Sequence, residues 1–353
     1  GNGAVIDHLA NWLCDLGFRT EIMNVSGDGC KANLIATLGS GDGGLVLAGH
    51  TDTVPFNEER WQSDPLKLTE RNNRLYGLGC TDMKTFFPLA IAAASSFKDI
   101  SLKQPLIILA TADEESSMNG ARALAAAGRP RARAAIIGEP TSLVPVRMHK
   151  GMMMESVQVT GQAGHSSNPN LGQNALEGMN AVISELINYR QHLRERYSND
   201  FFQIAYPTLN FGCLHGGDSP NRICGNAELH FDLRITPQGD NATVRGDIET
   251  RLKRLSEQLS LDIQLRSLIK EVEPFDQPAN SELVQMAEAL TGRRAEAVAF
   301  ATEAPFLQQL GMETIVLGPG SIDRAHQPDE YLETEHIQPY IALLEQCIRH
   351  YCL

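Results

Sequence analysis

Four short, uninterrupted apolar runs constrain the fold of this chain more than any other feature of its sequence. They cover residues 44–48, 105–110, 134–137 and 314–317, and turn-forming residues flank them. A strand that is apolar without alternation is usually buried on both faces, as in a sheet covered by helices on each side. Helix-like stretches lie between the runs, so the sequence predicts a layered α/β domain.

The middle of the chain has a different pattern. Residues 156–160 and 227–235 alternate apolar and polar side chains, which is typical of antiparallel strands with one face exposed to solvent. Amphipathic helices are predicted over residues 174–196 and 242–259. We therefore predict a small α+β domain over residues 151–269. It would be inserted into a discontinuous α/β domain made of residues 1–150 and 270–353.

Composition excludes some classes of function. The chain has 353 residues, enough for two cores, and a net charge of −13 from 43 acidic and 30 basic residues. That balance opposes nucleic-acid binding, which depends on Lys and Arg contacts with phosphates. No apolar run approaches the roughly 20 residues that a membrane-spanning helix needs. Seven scattered cysteines without a C-x-x-C pair indicate a reducing compartment, so we expect a cytoplasmic protein.

Residues that can bind metal ions follow three of the apolar runs and recur in two further loops. The candidates are His50, Asp82, Glu114, Glu115, Glu139 and His326. A single acid or histidine in such a place is usually a helix cap or a solvated loop residue. Adjacent acids at the end of a buried strand repel each other unless a cation compensates their charge. Because the carboxyl ends of parallel strands meet at one edge of a sheet, the coincidence predicts one metal site.

The types of ligand indicate the ion. Two histidines with three or four carboxylates suit Zn²⁺ or a similar first-row ion better than Ca²⁺ or Mg²⁺. Five ligands are too many for one tetrahedral zinc, whereas two ions that share a carboxylate fit the count. Asp52 follows His50 by two residues and could orient its imidazole.

Five short motifs resemble those of the co-catalytic zinc aminoacylase and carboxypeptidase family. They are His50-Thr51-Asp52, Thr81-Asp82-Met83-Lys84, Asp113-Glu114-Glu115, Gly138-Glu139-Pro140-Thr141 and Ala325-His326-Gln327-Pro328-Asp329-Glu330. The resemblance extends over essentially the whole chain. It implies a zinc-peptidase-like layered α/β catalytic domain, with the inserted α+β domain acting as a lid and dimerisation domain in a homodimer.

The resemblance also implies an activity. We expect a metal-dependent hydrolase that removes an acyl group from the α-amine of a small amino acid, with two Zn²⁺ as cofactors and Co²⁺ as the alternative ion. The leading reaction releases acetate from N2-acetyl-L-ornithine, as in arginine biosynthesis. Acetylcitrulline, succinyl-diaminopimelate and dipeptides are alternative substrates. An inactive binding homologue is the non-enzymatic alternative.

Each residue that matches a family motif carries an implied role. Glu114 would be the general base that activates a water bridging the metals, and Asp52 would assist at His50. The ligands would divide between the ions, with Asp82 as the bridge, His50 and Glu139 at one ion, and Glu115 and His326 at the other.

Residues outside the metal motifs are implied to act on the substrate. His165 would reach the active site of the partner subunit and stabilise the oxyanion, although its sequence context alone indicates a surface loop. Asn221, Arg222 and Arg234 are candidates for binding the substrate α-carboxylate. Glu303 could meet a cationic side chain such as that of ornithine, or could be structural.

Arg234 has an alternative reading that the sequence leaves open. It lies on the polar face of an alternating strand, where it could simply pair with Asp232 or Glu228.

Overall fold

The structure is a computed structural model that describes all 353 residues. Contacts divide the chain into two compact units. The first unit contains Gly1–Arg147, Gln277–Glu296 and Glu303–Leu353, and the second contains Met148–Asp276 and Ala297–Thr302. No helix is both long enough and apolar enough to span a membrane. The assignment of residues 151–269 as a lid and dimerisation domain stays a prediction.

The strands are numbered here in chain order. They are β1 (Arg19–Asn24), β2 (Ala32–Leu38), β3 (Leu45–His50), β4 (Thr69–Arg71), β5 (Arg74–Tyr76), β6 (Leu106–Thr111), β7 (Ala134–Ile137), β8 (Val146–His149), β9 (Gly151–Thr160), β10 (Gly164–His165), β11 (Thr208–Gly216), β12 (Arg222–Ile223), β13 (Asn226–Ile235), β14 (Asp262–Ser267), β15 (Phe275–Asp276), β16 (Glu296–Val298), β17 (Glu313–Val316) and β18 (Tyr331–Glu333).

The helices are numbered in the same way. They are α1 (Gly3–Asp15), α2 (Phe86–Ser95), α3 (Asn119–Ala127), α4 (Ala175–Arg196), α5 (Asn241–Leu259), α6 (Glu282–Thr291), α7 (Ala304–Gln309) and α8 (Ile337–Cys352).

The four apolar runs form the centre of the first unit's sheet. Part of this sheet has the strand order β1-β2-β6-β3-β7-β17. Strands β6, β3, β7 and β17 run parallel to one another, whereas β2 is antiparallel to β6. Every residue of β3, β6 and β7 is buried, because helices α1, α2, α6 and α8 share one apolar core with these strands. The predicted α/β class is therefore confirmed.

The second unit contains a four-stranded antiparallel sheet in the order β11-β13-β9-β14. Strand β13 buries Leu229, Phe231, Leu233 and Ile235 against helices α4 and α5, while the residues between them are partly exposed. Both helices begin within one residue of the predicted positions, with the side chain of Asp240 capping α5 by accepting from the Thr243 N–H. The period-two prediction for this part of the chain is confirmed.

A third, smaller sheet was not predicted from the sequence. It lies in the first unit, has three strands in the order β18-β5-β4, and pairs Tyr331 with Tyr76. Its strands have only three residues each, too few for a periodic pattern to be recognised. This sheet brings residues near 76 and residues near 331 together.

Candidate metal centre

The metal-competent residues follow adjacent parallel strands at one edge of the first unit's sheet. Strand β3 ends at His50, which pairs in register with Thr111, the last residue of β6. Glu114 comes three residues after β6, and Glu139 comes two residues after the end of β7. Because these strands are parallel neighbours, their carboxyl ends present the side chains to one place.

Two glycines allow helix α2 to pack closely behind this edge. A Cβ atom on Gly138 would lie 1.9 Å from Cδ2 of Phe86, and one on Gly49 would lie 2.8 Å from Cδ1 of the same ring. Phe86 is the first residue of α2 and is 1% exposed. The close approach of this ring helps to fix the strand ends that carry His50 and Glu139.

Asp82 lies between the two histidines. Its Oδ1 is 3.0 Å from Nε2 of His50, and its Oδ2 is 3.1 Å from Nε2 of His326. The two oxygens of one carboxylate therefore face two different imidazoles. This arrangement suits a carboxylate that bridges two ions.

The remaining acids divide between the two histidines. Glu139 Oε1 is 3.6 Å from Nε2 of His50, and Glu115 Oε2 is 3.1 Å from Nε2 of His326. Possible ligand atoms of His50, Asp82 and Glu115 all lie within 4.8 Å of one another, as do those of His50, Glu114 and Glu139. The structure thus brings together all six residues that the sequence singled out.

The electrostatics of this cluster are those of crowded, buried acids. Burial and the neighbouring Glu139 raise the pKa of Glu114 well above its ordinary value. Burial raises the pKa of Glu139 to about 8. Hydrogen bonds with Asp82 and Glu115 raise the pKa of His326 to about 10. Carboxylates held this close, with two imidazoles among them, have the charge and the ligand types that fit a pair of first-row metal ions.

Asp52 is hydrogen-bonded to the segment that carries the acids. Its Oδ1 accepts from the Glu114 N–H at 3.2 Å and its Oδ2 accepts from the Glu115 N–H at 3.1 Å. Its backbone carbonyl lies 3.1 Å from Nδ1 of His50, whereas its carboxylate is 3.6 Å away. A carbonyl can only accept, so Nδ1 of His50 donates the proton and Nε2 is left free to bind an ion.

Glu303 is a buried acid beside the same cluster. Its Oε2 accepts from the hydroxyl of Thr111 at 2.8 Å, and its Oε1 is buried without a hydrogen-bond partner. Burial raises the pKa of this carboxyl to about 7. The structure therefore places Glu303 near His50 and leaves one of its oxygens unsatisfied.

Three candidate substrate residues lie together in the second unit. Strand β10 pairs with β12, so that His165 is opposite Arg222, and the Ser166 N–H donates to the carbonyl of Asn221 at 3.1 Å. His165 is exposed, as its sequence context indicates, and its Nδ1 accepts from the Ser167 hydroxyl at 2.7 Å. Arg222 pairs with Asp218 at 2.5 Å.

Arg234 lies elsewhere in the same unit, on β13. Its Nε donates to both carboxylate oxygens of Asp232, at 3.0 and 3.1 Å. The alternative reading, a local pair with Asp232, is therefore what the structure contains. A role in substrate binding stays a prediction.

One buried acid at the centre received no role of its own from the sequence. The carboxylate of Glu330, 3% exposed, accepts backbone N–H groups of the loop that carries Asp82. In the sequence, Glu330 follows Pro328 and Asp329, a combination typical of a solvated turn. No local pattern distinguishes it from such a turn residue.

Comparisons with known proteins agree with this geometry. A family model described as peptidase family M20/M25/M40 matches residues 46–350. An acetylornithine deacetylase of Pasteurella multocida (strain Pm70) is 48% identical over 351 residues, which cover 99% of this chain and 92% of that protein. An acetylornithine deacetylase of Edwardsiella ictaluri (strain 93-146) is 49% identical over 99% of this chain and 91% of its own length.

Solved structures share the fold at low identity. An M20 family metallo-carboxypeptidase from Sulfolobus solfataricus superposes with a TM-score of 0.77 and 18% identity, covering 99% of this chain and 94% of that one. A tripeptidase from Staphylococcus aureus gives a TM-score of 0.76 and 17% identity, covering 98% and 91%. With the family match and the relatives near 48% identity, these findings establish that the chain belongs to peptidase family M20/M25/M40 and is a metal-dependent hydrolase.

Proposed function

We propose that this chain hydrolyses the amide of N2-acetyl-L-ornithine and releases acetate and L-ornithine, a reaction of arginine biosynthesis. The observation that carries the proposal is the identity of 48–49% over 99% of the chain to proteins named acetylornithine deacetylase. The buried cluster around His50 supplies the ligand types that such a hydrolysis requires.

Five side chains are proposed to hold two Zn²⁺, with Co²⁺ as an alternative. The ions, when bound, polarise the amide carbonyl and lower the pKa of the attacking water. The proposed ligands are Asp82 between the ions, His50 and Glu139 at one, and Glu115 and His326 at the other. The contact of each Asp82 oxygen with a different imidazole supports the bridging role.

Glu114 is the proposed general base. It would take a proton from the attacking water as the new C–O bond forms, and would deliver a proton to the amine nitrogen as the C–N bond breaks. The Glu114 backbone N–H donates to Asp52, which supports a fixed position for this carboxylate. The raised pKa of Glu114 without the ions would be offset by their positive charge.

Recognition of the substrate is proposed to depend on residues other than the metal ligands. Arg222, Arg234 and Asn221 would bind the α-carboxylate, and His165 from the partner of a homodimer would donate to the oxyanion. The unsatisfied Oε1 of Glu303 supports a contact with the ammonium group of the ornithine side chain. A cytoplasmic location and dimerisation through residues 151–269 belong to the same proposal.

The test is an assay of metal-stripped protein reconstituted with Zn²⁺ or Co²⁺. N-acetylornithine, N-acetylcitrulline and N-succinyl-diaminopimelate would be offered in parallel. A metal-dependent preference for acetylornithine is the expected result. Preference for another member of the panel would overturn the substrate but keep the chemistry, and no hydrolysis by metal-loaded protein would overturn the proposed function as a whole.

A further inference from the structure

Glu330 lies four residues after His326 and is almost completely buried in the first unit. Its Oε1 accepts from the backbone N–H of Thr81 at 2.7 Å and from that of Asp82 at 2.9 Å. Its Oε2 accepts from the Gly79 N–H at 2.9 Å. Three backbone donors of one short loop therefore converge on one side chain.

The backbone around Glu330 closes the same loop. The Gly77 N–H donates to the Glu330 carbonyl at 3.2 Å, and the hydroxyl of Thr81 donates to the Tyr331 carbonyl at 2.5 Å. These bonds continue from the antiparallel pairing of Tyr331 with Tyr76 in the small sheet. Gly77 and Thr81 of the loop over residues 77–83 are therefore hydrogen-bonded to Glu330 and Tyr331, which follow His326 closely in the sequence.

The converging N–H groups form a concavity of the kind that binds anions. Gly79 enters it with a φ of 82°, in the left-handed region that favours glycine. Here the anion is a side chain of the protein. Charge-assisted hydrogen bonds from backbone N–H groups to a buried carboxylate are stronger than neutral ones, so this contact is stiff.

The contact acts on the residue that faces both histidines. The backbone N–H of Asp82 is one of the three donors, and its carboxylate oxygens lie 3.0 and 3.1 Å from the imidazoles of His50 and His326. A shift of the 77–83 loop would therefore change the distances from Asp82 to both histidines. No other side-chain acceptor holds the backbone of this loop.

We propose that Glu330 is a positioning residue of the metal centre, which fixes the Asp82 loop against the His326 segment so that the ligands of both ions are held at binding distance. Its role would be to hold Asp82 and not to contact the substrate or the reacting atoms. The inference rests on the proposed roles of Asp82 and His326 as ligands. It does not depend on which acylated amino acid the protein hydrolyses.

Two substitutions separate this role from general stability. In Glu330→Gln, the amide oxygen can keep the bonds to Thr81 and Asp82, but the amide NH₂ faces the Gly79 N–H, so one bond is lost. In Glu330→Ala, all three N–H groups lose their acceptor. Loss of residues that support metal ligands typically weakens metal binding by about 10–100-fold. We expect Zn²⁺ affinity to fall in the order wild type, Glu330→Gln, Glu330→Ala.

The first measurement is the Zn²⁺ dissociation constant of the purified full-length protein after its metal has been removed, determined by competition with a chromophoric chelator. The second is the visible absorption spectrum of the Co²⁺-loaded protein. The matched control is Glu155→Gln in the second unit. Glu155 is a buried carboxylate that accepts from the Ser267 hydroxyl at 2.8 Å and from Arg245. This control tests whether loss of a buried carboxylate elsewhere changes metal binding.

We expect the Glu330 variants to bind Zn²⁺ more weakly and to have an altered Co²⁺ spectrum. Glu155→Gln should lower the melting temperature but should have little effect on Zn²⁺ affinity or on the Co²⁺ spectrum. If Glu330→Ala does not fold, Glu330→Gln carries the test alone. Wild-type affinity and an unchanged spectrum in the folded Glu330 variants would overturn the positioning role. A wild-type protein that binds no ions would overturn the ligand assignment and this proposal with it.

Discussion

The proposed metal ligands of the first unit and the proposed carboxylate-binding residues of the second unit are held in different ways. His50 and Asp82 are 1% and 6% exposed, at the end of a buried strand and in a loop held by Glu330. Arg222 and its partner Asp218 have side chains that are 56% and 63% exposed. His50 and Asp82 are therefore fixed by the packed core, whereas Arg222 is fixed by little more than a surface ion pair. Among the proposed ligands, His326 is the exception, with a side chain that is 52% exposed.

The energetic consequence of this difference is large. Removing one partner of a buried charge pair costs about 3–5 kcal/mol, whereas an exposed pair is typically worth about 0–1 kcal/mol. If Arg222 binds the substrate as proposed, it would exchange Asp218 for the substrate carboxylate at small cost. The buried residues His50 and Asp82 cannot rearrange in this way. We infer the rule that the burial of a residue sets how strongly its substitution changes activity or stability.

The largest effect is expected at Glu114. Glu114→Gln should lower kcat by about 10²–10⁴-fold, because general acid–base catalysis contributes that much. Metal content should be unchanged, since Glu114 is not a proposed ligand. Steady-state kinetics with metal analysis checks both, and Glu70→Gln on the exposed strand β4 is the control. Near-normal turnover in Glu114→Gln would show that the base is another group.

The next effect concerns a buried residue of the second unit. His149 is 0% exposed, its Nδ1 donates to the Lys150 carbonyl, and its Nε2 accepts from the Thr302 N–H, so it must be neutral. Burial lowers its pKa to about 4, below the ordinary 6.5. Between pH 4 and pH 6.5, His149 binds a proton in the unfolded chain but not in the folded chain. Stability from this group is therefore present above pH 6.5 and lost as pH falls towards 4.

The corresponding measurement is urea unfolding of the wild type and of His149→Gln at pH 7 and pH 4. The wild type should lose about 3 kcal/mol more than the variant over this interval, because one pKa unit corresponds to about 1.4 kcal/mol. The carboxylates titrate in both proteins and cancel in the difference. Equal losses would mean that burial does not set the pKa of this histidine.

An intermediate effect is expected at Arg234, whose side chain is 24% exposed and bound to Asp232 through two contacts. Hydrogen bonds to charged groups contribute about 1.5–3 kcal/mol, so Arg234→Gln should lower kcat/KM by about 10–100-fold, mainly through KM. Arg254→Gln, an exposed arginine paired with Glu185, is the matched control. An unchanged KM in Arg234→Gln would leave the pair with Asp232 as the only role of this arginine.

The smallest effect is expected at Arg222. Because its guanidinium is exposed, Arg222→Gln should lower kcat/KM by less than about 5-fold, the range of an exposed ion pair. The same kinetic assay and the same Arg254→Gln control apply. A loss as large as that at Arg234 would contradict the rule that burial sets the size of the effect, and would indicate that substrate binding buries Arg222.

Much of the fold was accessible from the sequence because its signals are local. The apolar runs at 44–48, 105–110 and 134–137 became β3, β6 and β7, and the alternation at 227–235 became β13. Each signal is the order of apolar and polar residues, which reflects the solvent exposure of successive positions. This order can be recognised within a segment of a few residues. Helix α1 and the small sheet were missed, since short or unremarkable segments carry no comparable pattern.

The sequence by itself determined the class of the fold and predicted the six residues that the structure brings together, because these follow from residue type and from position in short motifs after or between strands. Only the tertiary structure decided which oxygen of Asp82 faces which histidine, and that Glu330 holds the loop of Asp82 across 248 residues of chain. Such contacts depend on how distant segments pack against each other, and no local pattern records that packing.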